Sequence, residues 1–143
     1  MTDDSWLQGL IAIVGGFASY FIGGFSGIVE VLVVLVICDF IMGVIKAFWK
    51  GRYSSDVGFH GISKKVCMFM FIGIANIIDH EMLGSSEVLK DSVIIFYIAN
   101  EGLSIVENAI ELNVPVPDII RERFLTWRNK ELYSKNDPGD AED

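Results

Sequence analysis

The sequence predicts an all-α integral membrane protein with about four transmembrane helices, three plus one marginal and amphipathic, and a short charged tail. Three observations carry that prediction. Hydrophobic residues make up 52% of the 143, against 21% charged. Mean hydropathy is +0.46. The charges are segregated, with none between residues 5 and 29 and twelve between 118 and 143. A soluble domain spreads polar side chains over its whole surface, and the first of these stretches has no charge to spread. The apolar content and only three prolines exclude a disordered or fibrous chain. A net charge of −8, from 19 acidic and 11 basic residues, argues against nucleic-acid binding.

About 20 apolar residues cross the ~30 Å hydrocarbon core. The uncharged run from Ser5 to Val29 is long enough to be a first, retained span. It is a poor secretory signal, because Met1 to Asp4 holds two aspartates and no basic residue. A second segment runs from Val31 to Phe48 around Asp39. Its apolar residues outweigh the cost of about 3 kcal/mol for one central aspartate. The third, Val66 to Ile78, has 13 residues and needs Gly61 to Ser63 and Met82 to Leu83 to reach across. There, Lys64 and Lys65 are expected to snorkel toward headgroups. The fourth, Ser92 to Leu112, carries Glu101, Glu107 and Glu111. Its insertion balance is near zero, so spanning, lying in the interface and inserting after assembly all stay open. Cys38 and Cys67 sit inside apolar stretches and read as buried free thiols.

Loop charges set the expected orientation. Residues 46–65 hold Lys46, Lys50, Arg52, Lys64 and Lys65 against Asp56 alone, whereas 79–91 hold four acids and only Lys90. Arg121 and Arg123 follow the last apolar segment. The positive-inside rule places loop 46–65 and the tail in the cytoplasm, which requires a spanning fourth segment and a cytoplasmic N-terminus.

Two patterns mark helix faces. Gly15, Ser19, Gly23 and Gly27 recur every four residues in the first segment and would let another backbone approach closely. That face fits either an oligomer interface or packing within one chain. The second segment carries Asp39, Gly43, Lys46 and Lys50 on one stripe, and the fourth Tyr97, Glu101, Ser104, Asn108 and Glu111, flanked by Asn100 and Glu107. Gly73, Asn76 and His80 repeat the rhythm in the third. Ionisable groups within a membrane face the bundle interior, pair with each other or line water. Within one monomer, Asp39 would meet a lysine and Glu101 would meet Asn76 or His80. In an assembly, Asp39, Lys46, Asn76, Glu101, Ser104 and Asn108 would wall an aqueous opening.

Pro115 and Pro117 end the fourth helix, dividing a membrane domain, 1–117, from a cytoplasmic tail, 118–143. Ile119, Ile120, Phe124, Trp127 and Leu132 suggest a short amphipathic helix on the inner membrane surface, and the acidic end from Asp137 reads as disordered. The sequence holds no GxSxG, HExxH, phosphate loop or CxxC, so no catalytic site, cofactor or metal is expected. Asp79, His80 and Glu81 are adjacent on a helix and point in different directions.

Several spaced blocks resemble the phage holin family that includes the clostridial toxin-secretion holins. They are Cys-Asp-Phe-Ile-Met-Gly-Val-Ile-Lys-Ala (38–47), Tyr-Ser-Ser-Asp-Val-Gly-Phe-His-Gly-Ile-Ser-Lys-Lys-Val (53–66), Asp79, Asn-Glu-Gly-Leu-Ser-Ile-Val-Glu-Asn (100–108) and Val-Pro-Val-Pro (114–117). The resemblance covers roughly residues 30–120. It implies a non-enzymatic protein that accumulates in the host cytoplasmic membrane, oligomerises with itself, and opens lesions through which an endolysin reaches the cell wall. An antiholin is a further candidate partner. A holin-like export channel and a non-permeabilising regulator are the competing expectations.

Overall fold

The computed structural model describes the backbone of residues 5–51 and 55–135, with side chains over 5–51 and 58–130. It contains α1 (Ser5–Ile22), α2 (Gly27–Trp49), α3 (Ser55–Met82), α4 (Val88–Glu111) and α5 (Asp118–Lys135), and no strand among the described residues. Four of these helices are long and apolar enough to cross a membrane: α1, α2, Gly58–Met82 of α3, and α4. The third segment gains its length by extending at both ends, as its 13 apolar residues required.

The first span is shorter than the uncharged run suggested. Gly23 and Gly24 take left-handed φ values of 85° and 87°. The Gly24 N–H donates to the Ser19 carbonyl at 2.8 Å and the Gly23 N–H to Tyr20 at 3.1 Å. That pair of bonds is a Schellman closure, which satisfies carbonyls left open at a helix end. Ser26 then stands in extended conformation before α2. The α4 terminus closes the same way on Asn113, at φ 56°, with Val114 donating to Ala109 at 2.9 Å, just before Pro115.

Helix α4 is the hub. It packs along α2 and α3 and carries α5, while α1 touches α3 alone. The ion pairs of Lys46 and Lys50 with Glu111 bring the C-terminal ends of α2 and α4 to one end. At the other end Asn76 donates to the Phe21 carbonyl at 3.2 Å, joining the α1 terminus to α3. Thus α2 and α4 run parallel to each other and antiparallel to α3. Lysine and arginine collect at the Glu111 end, from which α5 leaves; Asp79, Glu81 and Glu87 collect at the opposite one.

The apolar core occupies the half near the α1–α2 turn, where Val29, Leu32, Met68, Ile72 and Ile94 are buried together. Elsewhere the chain is inverted relative to a soluble protein. No residue of α1 is buried, and Ile13, Phe17, Val34, Ile41, Met70 and Phe96 face outward. Such a surface suits hydrocarbon, and the protein is a multi-pass membrane protein by this measure. Cys38 and Cys67 are free, but both are exposed on these outer faces and not buried as their apolar neighbours suggested.

Candidate functional site: a polar cluster between the helices

Two turns beyond the apolar core, the bundle interior becomes ionic. The Lys65 Nζ of α3 lies 2.9 Å from Asp39 Oδ2 of α2 and 2.5 Å from Glu101 Oε2 of α4. The second Asp39 oxygen accepts a hydrogen bond from Asn108 Nδ2 at 2.9 Å. The three ionic side chains are only 16%, 13% and 8% exposed, in the order Lys65, Asp39, Glu101. Each acid sits near the middle of its span, the most costly place for a lone charge. Lys65, on the first turns of the α3 span, reaches inward along the bundle to meet both. Among the described residues no buried polar side-chain atom lacks a partner.

Helical spacing explains the convergence. Asp39 and Leu32 are seven residues apart, as are Glu101 and Ile94, so each acid projects from the face that carries the core. The expected lysine partner of Asp39 exists, but it is Lys65 and not a member of the α2 stripe. Glu101 takes that same lysine; Asn76 and His80, its anticipated partners, lie at the other end. Asn76 holds the Phe21 carbonyl, and His80 Nδ1 bonds Ser85 Oγ at 2.9 Å. Lys46 and Lys50 go to Glu111 instead. Ser104 lines a cavity of about 390 Å³ beside the cluster.

A second polar centre was not anticipated. Asp79 is buried, and its carboxylate accepts the backbone N–H groups of Leu89 at 3.2 Å and Lys90 at 2.7 Å, with Ser86 Oγ at 3.2 Å. It therefore caps α4 from the preceding helix, replacing Glu87, which stands in the left-handed region and forms no side-chain cap. Lys90 is itself fully buried and pairs with Glu87 at 3.0 Å. The spacing of Asp79 just before a turn and a new helix was the available signal.

The small-residue row is split between structures. Gly15 and Ser19 lie on α1, Gly23 closes it, and Gly27 opens α2. The four cannot share one helix face, because the chain turns at Gly23. Gly15 and Gly27 have open space where a Cβ would be, whereas a Cβ on Gly23 would fall 2.2 Å from Asn76 Oδ1. Of the topology residues, Lys50, Lys64, Arg121 and Arg123 are exposed, and Arg52 lies outside the described residues.

Residues 16–129 match the bacteriophage holin family. The chain belongs to that family. The holin match covers all of the polar cluster and runs into α5. A probable holin of Bacillus phage phi105 is 38% identical over 95 residues, 66% of this chain and 70% of its own length. Uncharacterized proteins of Bacillus subtilis and Listeria monocytogenes are also similar. The first is 38% identical over 85% of this chain and 86% of its own; the second is 35% identical over 81% and 82%. No solved structure matches.

Proposed function

We propose that this holin-family protein accumulates in the host bacterial cytoplasmic membrane, associates with copies of itself, and opens lesions that release an endolysin to the cell wall. The observation that carries this reading is the polar cluster. Three membrane-spanning helices hold Asp39, Lys65, Glu101 and Asn108 at mid-bundle, where apolar residues would pack equally well. In the single chain these groups satisfy each other and the outer surface is apolar, which suits quiet accumulation. When helices from several copies rearrange, the same groups supply a wettable wall.

Exposed Gly15 and the partly exposed Ser19 on α1 supply a close-approach face for association, on a helix that meets the core only through its last turn, at Ile22. The positive-inside rule applied to the Glu111 end favours a cytoplasmic N-terminus, a cytoplasmic connection between α2 and α3, and a cytoplasmic α5. The holin family is a kind of membrane protein not known to be enzymatic.

Induced expression in a bacterium, with and without a cytoplasmic endolysin, tests the reading through turbidity and membrane potential. Abrupt depolarisation, with rapid lysis only when the endolysin is present, is the expected result. Steady growth with the protein correctly inserted would replace it with an antiholin or regulatory role. Depolarisation-independent release of another exported protein would favour an export channel.

A further inference from the structure

Helix α5 is the polar helix of the chain, and Arg121, Glu122 and Arg123 are exposed along it. Phe124 breaks that pattern, with only 4% of its surface exposed. The Trp127 ring stands 6.2 Å from it, and the Arg128 guanidinium sits 5.7 Å over its face. Both aromatic rings form part of the wall of the 390 Å³ cavity, whose remaining lining includes Asp39, Lys65, Glu101 and Ser104. An apolar ring gains most by burial among apolar neighbours. This one is buried beside the ionic cluster and covers one side of the cavity.

The attachment is slight. Among the membrane helices α5 packs on α4 alone. It follows a connection containing left-handed Asn113, Pro115 and Pro117. Of its described side chains only Phe124 is buried, so lifting α5 away leaves the α2–α4 packing intact. Apolar Ile119 and Ile120 are exposed.

We propose that α5 is a detachable cover: Phe124 walls one side of the polar cavity, and movement of α5 off α4 opens Asp39, Lys65 and Glu101 further to water. The cover belongs to the single chain, so its test needs no lysis and is separate from the lesion-forming activity. A full-length variant carrying Cys38→Ala, Cys67→Ala and Ser104→Cys is placed in membrane vesicles of both orientations. A membrane-impermeant maleimide is then added, and labelling of residue 104 is followed in time.

Labelling of partly exposed residue 104 is slower while Phe124 is present than after its removal. Phe124→Ala raises the rate by about tenfold or more, the change expected when burial of one aromatic side chain no longer holds the closed state. Phe124→Trp, which refills the space, stays slow. Should Phe124→Ala accumulate poorly, Phe124→Leu and Trp127→Ala give intermediate rises. A cysteine at exposed Thr126 labels equally fast in every background. Equal labelling of residue 104 with and without the Phe124 ring, in vesicles of both orientations, would overturn the proposal.

Discussion

Phe21 lies so close over Gly73 that a Cβ on residue 73 would fall 1.8 Å from the Phe21 Cε1 atom. With the Asn76 bond to the Phe21 carbonyl, this contact anchors α1 to α3. Backbone and ring cannot both keep their positions once residue 73 gains a side chain. Gly73→Ala is expected to push α1 away and cost about 1–3 kcal/mol. A lowered melting temperature in detergent, with helicity by circular dichroism unchanged, is the expected reading. Unchanged melting would show that α1 is held elsewhere.

The shared lysine sets an order among substitutions in the cluster. Lys65→Met leaves Asp39 and Glu101 without their cation, and about 3 kcal/mol of stability should go, the lower end for a broken buried pair. Glu101→Gln leaves a one-to-one Lys65–Asp39 pair and should cost much less. Combining Lys65→Met with Asp39→Asn and Glu101→Gln is expected to recover most of the loss. Melting temperatures of these variants in one detergent check the order; equal losses for Lys65→Met and Glu101→Gln would contradict it.

Gly15 and Gly23 should separate association from folding. Gly15 faces open space, so Gly15→Leu leaves the monomer stable and its effect is read on oligomers alone. Gly23 has φ 85° and a close Asn76 neighbour, so even Gly23→Ala strains the turn and lowers the melting temperature. Chemical cross-linking in membranes reads the first property and detergent melting the second. Loss of oligomers in Gly23 variants therefore reports on the turn before it reports on an interface.

Asp79 should matter at a distance from the ionic cluster. Asp79→Ala removes the acceptor for two backbone N–H groups at the start of α4 and is expected to destabilise the α3–α4 turn. Asp79→Asn keeps one acceptor oxygen and should be milder. Hydrogen exchange at Leu89 and Lys90 is the direct measurement, with protection falling in the alanine variant. Protection equal to wild type would remove Asp79 from the capping role.

Helix number and type were legible because hydrophobic runs of spanning length have few alternatives in a chain this apolar. The marginal fourth segment was harder to place. Its glutamates weigh against insertion for an isolated helix, but Lys65 and Lys50 compensate two of them once the bundle forms. The break at Gly23–Gly24 was visible as a glycine pair ahead of Ser26, yet the absence of charge up to Val29 concealed it, since hydropathy does not register turns. Polar stripes on α2 and α4 showed which acids face inward. Which cation meets them depends on helix order and vertical offset, and no periodicity along one helix carries that information. Lys65 ends the basic stretch 46–65, whose other charges explain orientation, and so it read as another member of that set. On α5 the apolar residues marked an amphipathic helix, but Phe124 turned inward, so they do not share one exposed face.

Because the cation of the cluster comes from α3 and its two anions from α2 and α4, neutralisation follows the order of synthesis. Asp39 leaves the ribosome first and must wait for one more helix before a counter-charge exists. Glu101, the later acid, arrives where Lys65 already stands. A helix whose insertion is evenly balanced on its own thus finds a template already made by its predecessors, and a chain interrupted before α4 would be left with a binding face and nothing to fill it.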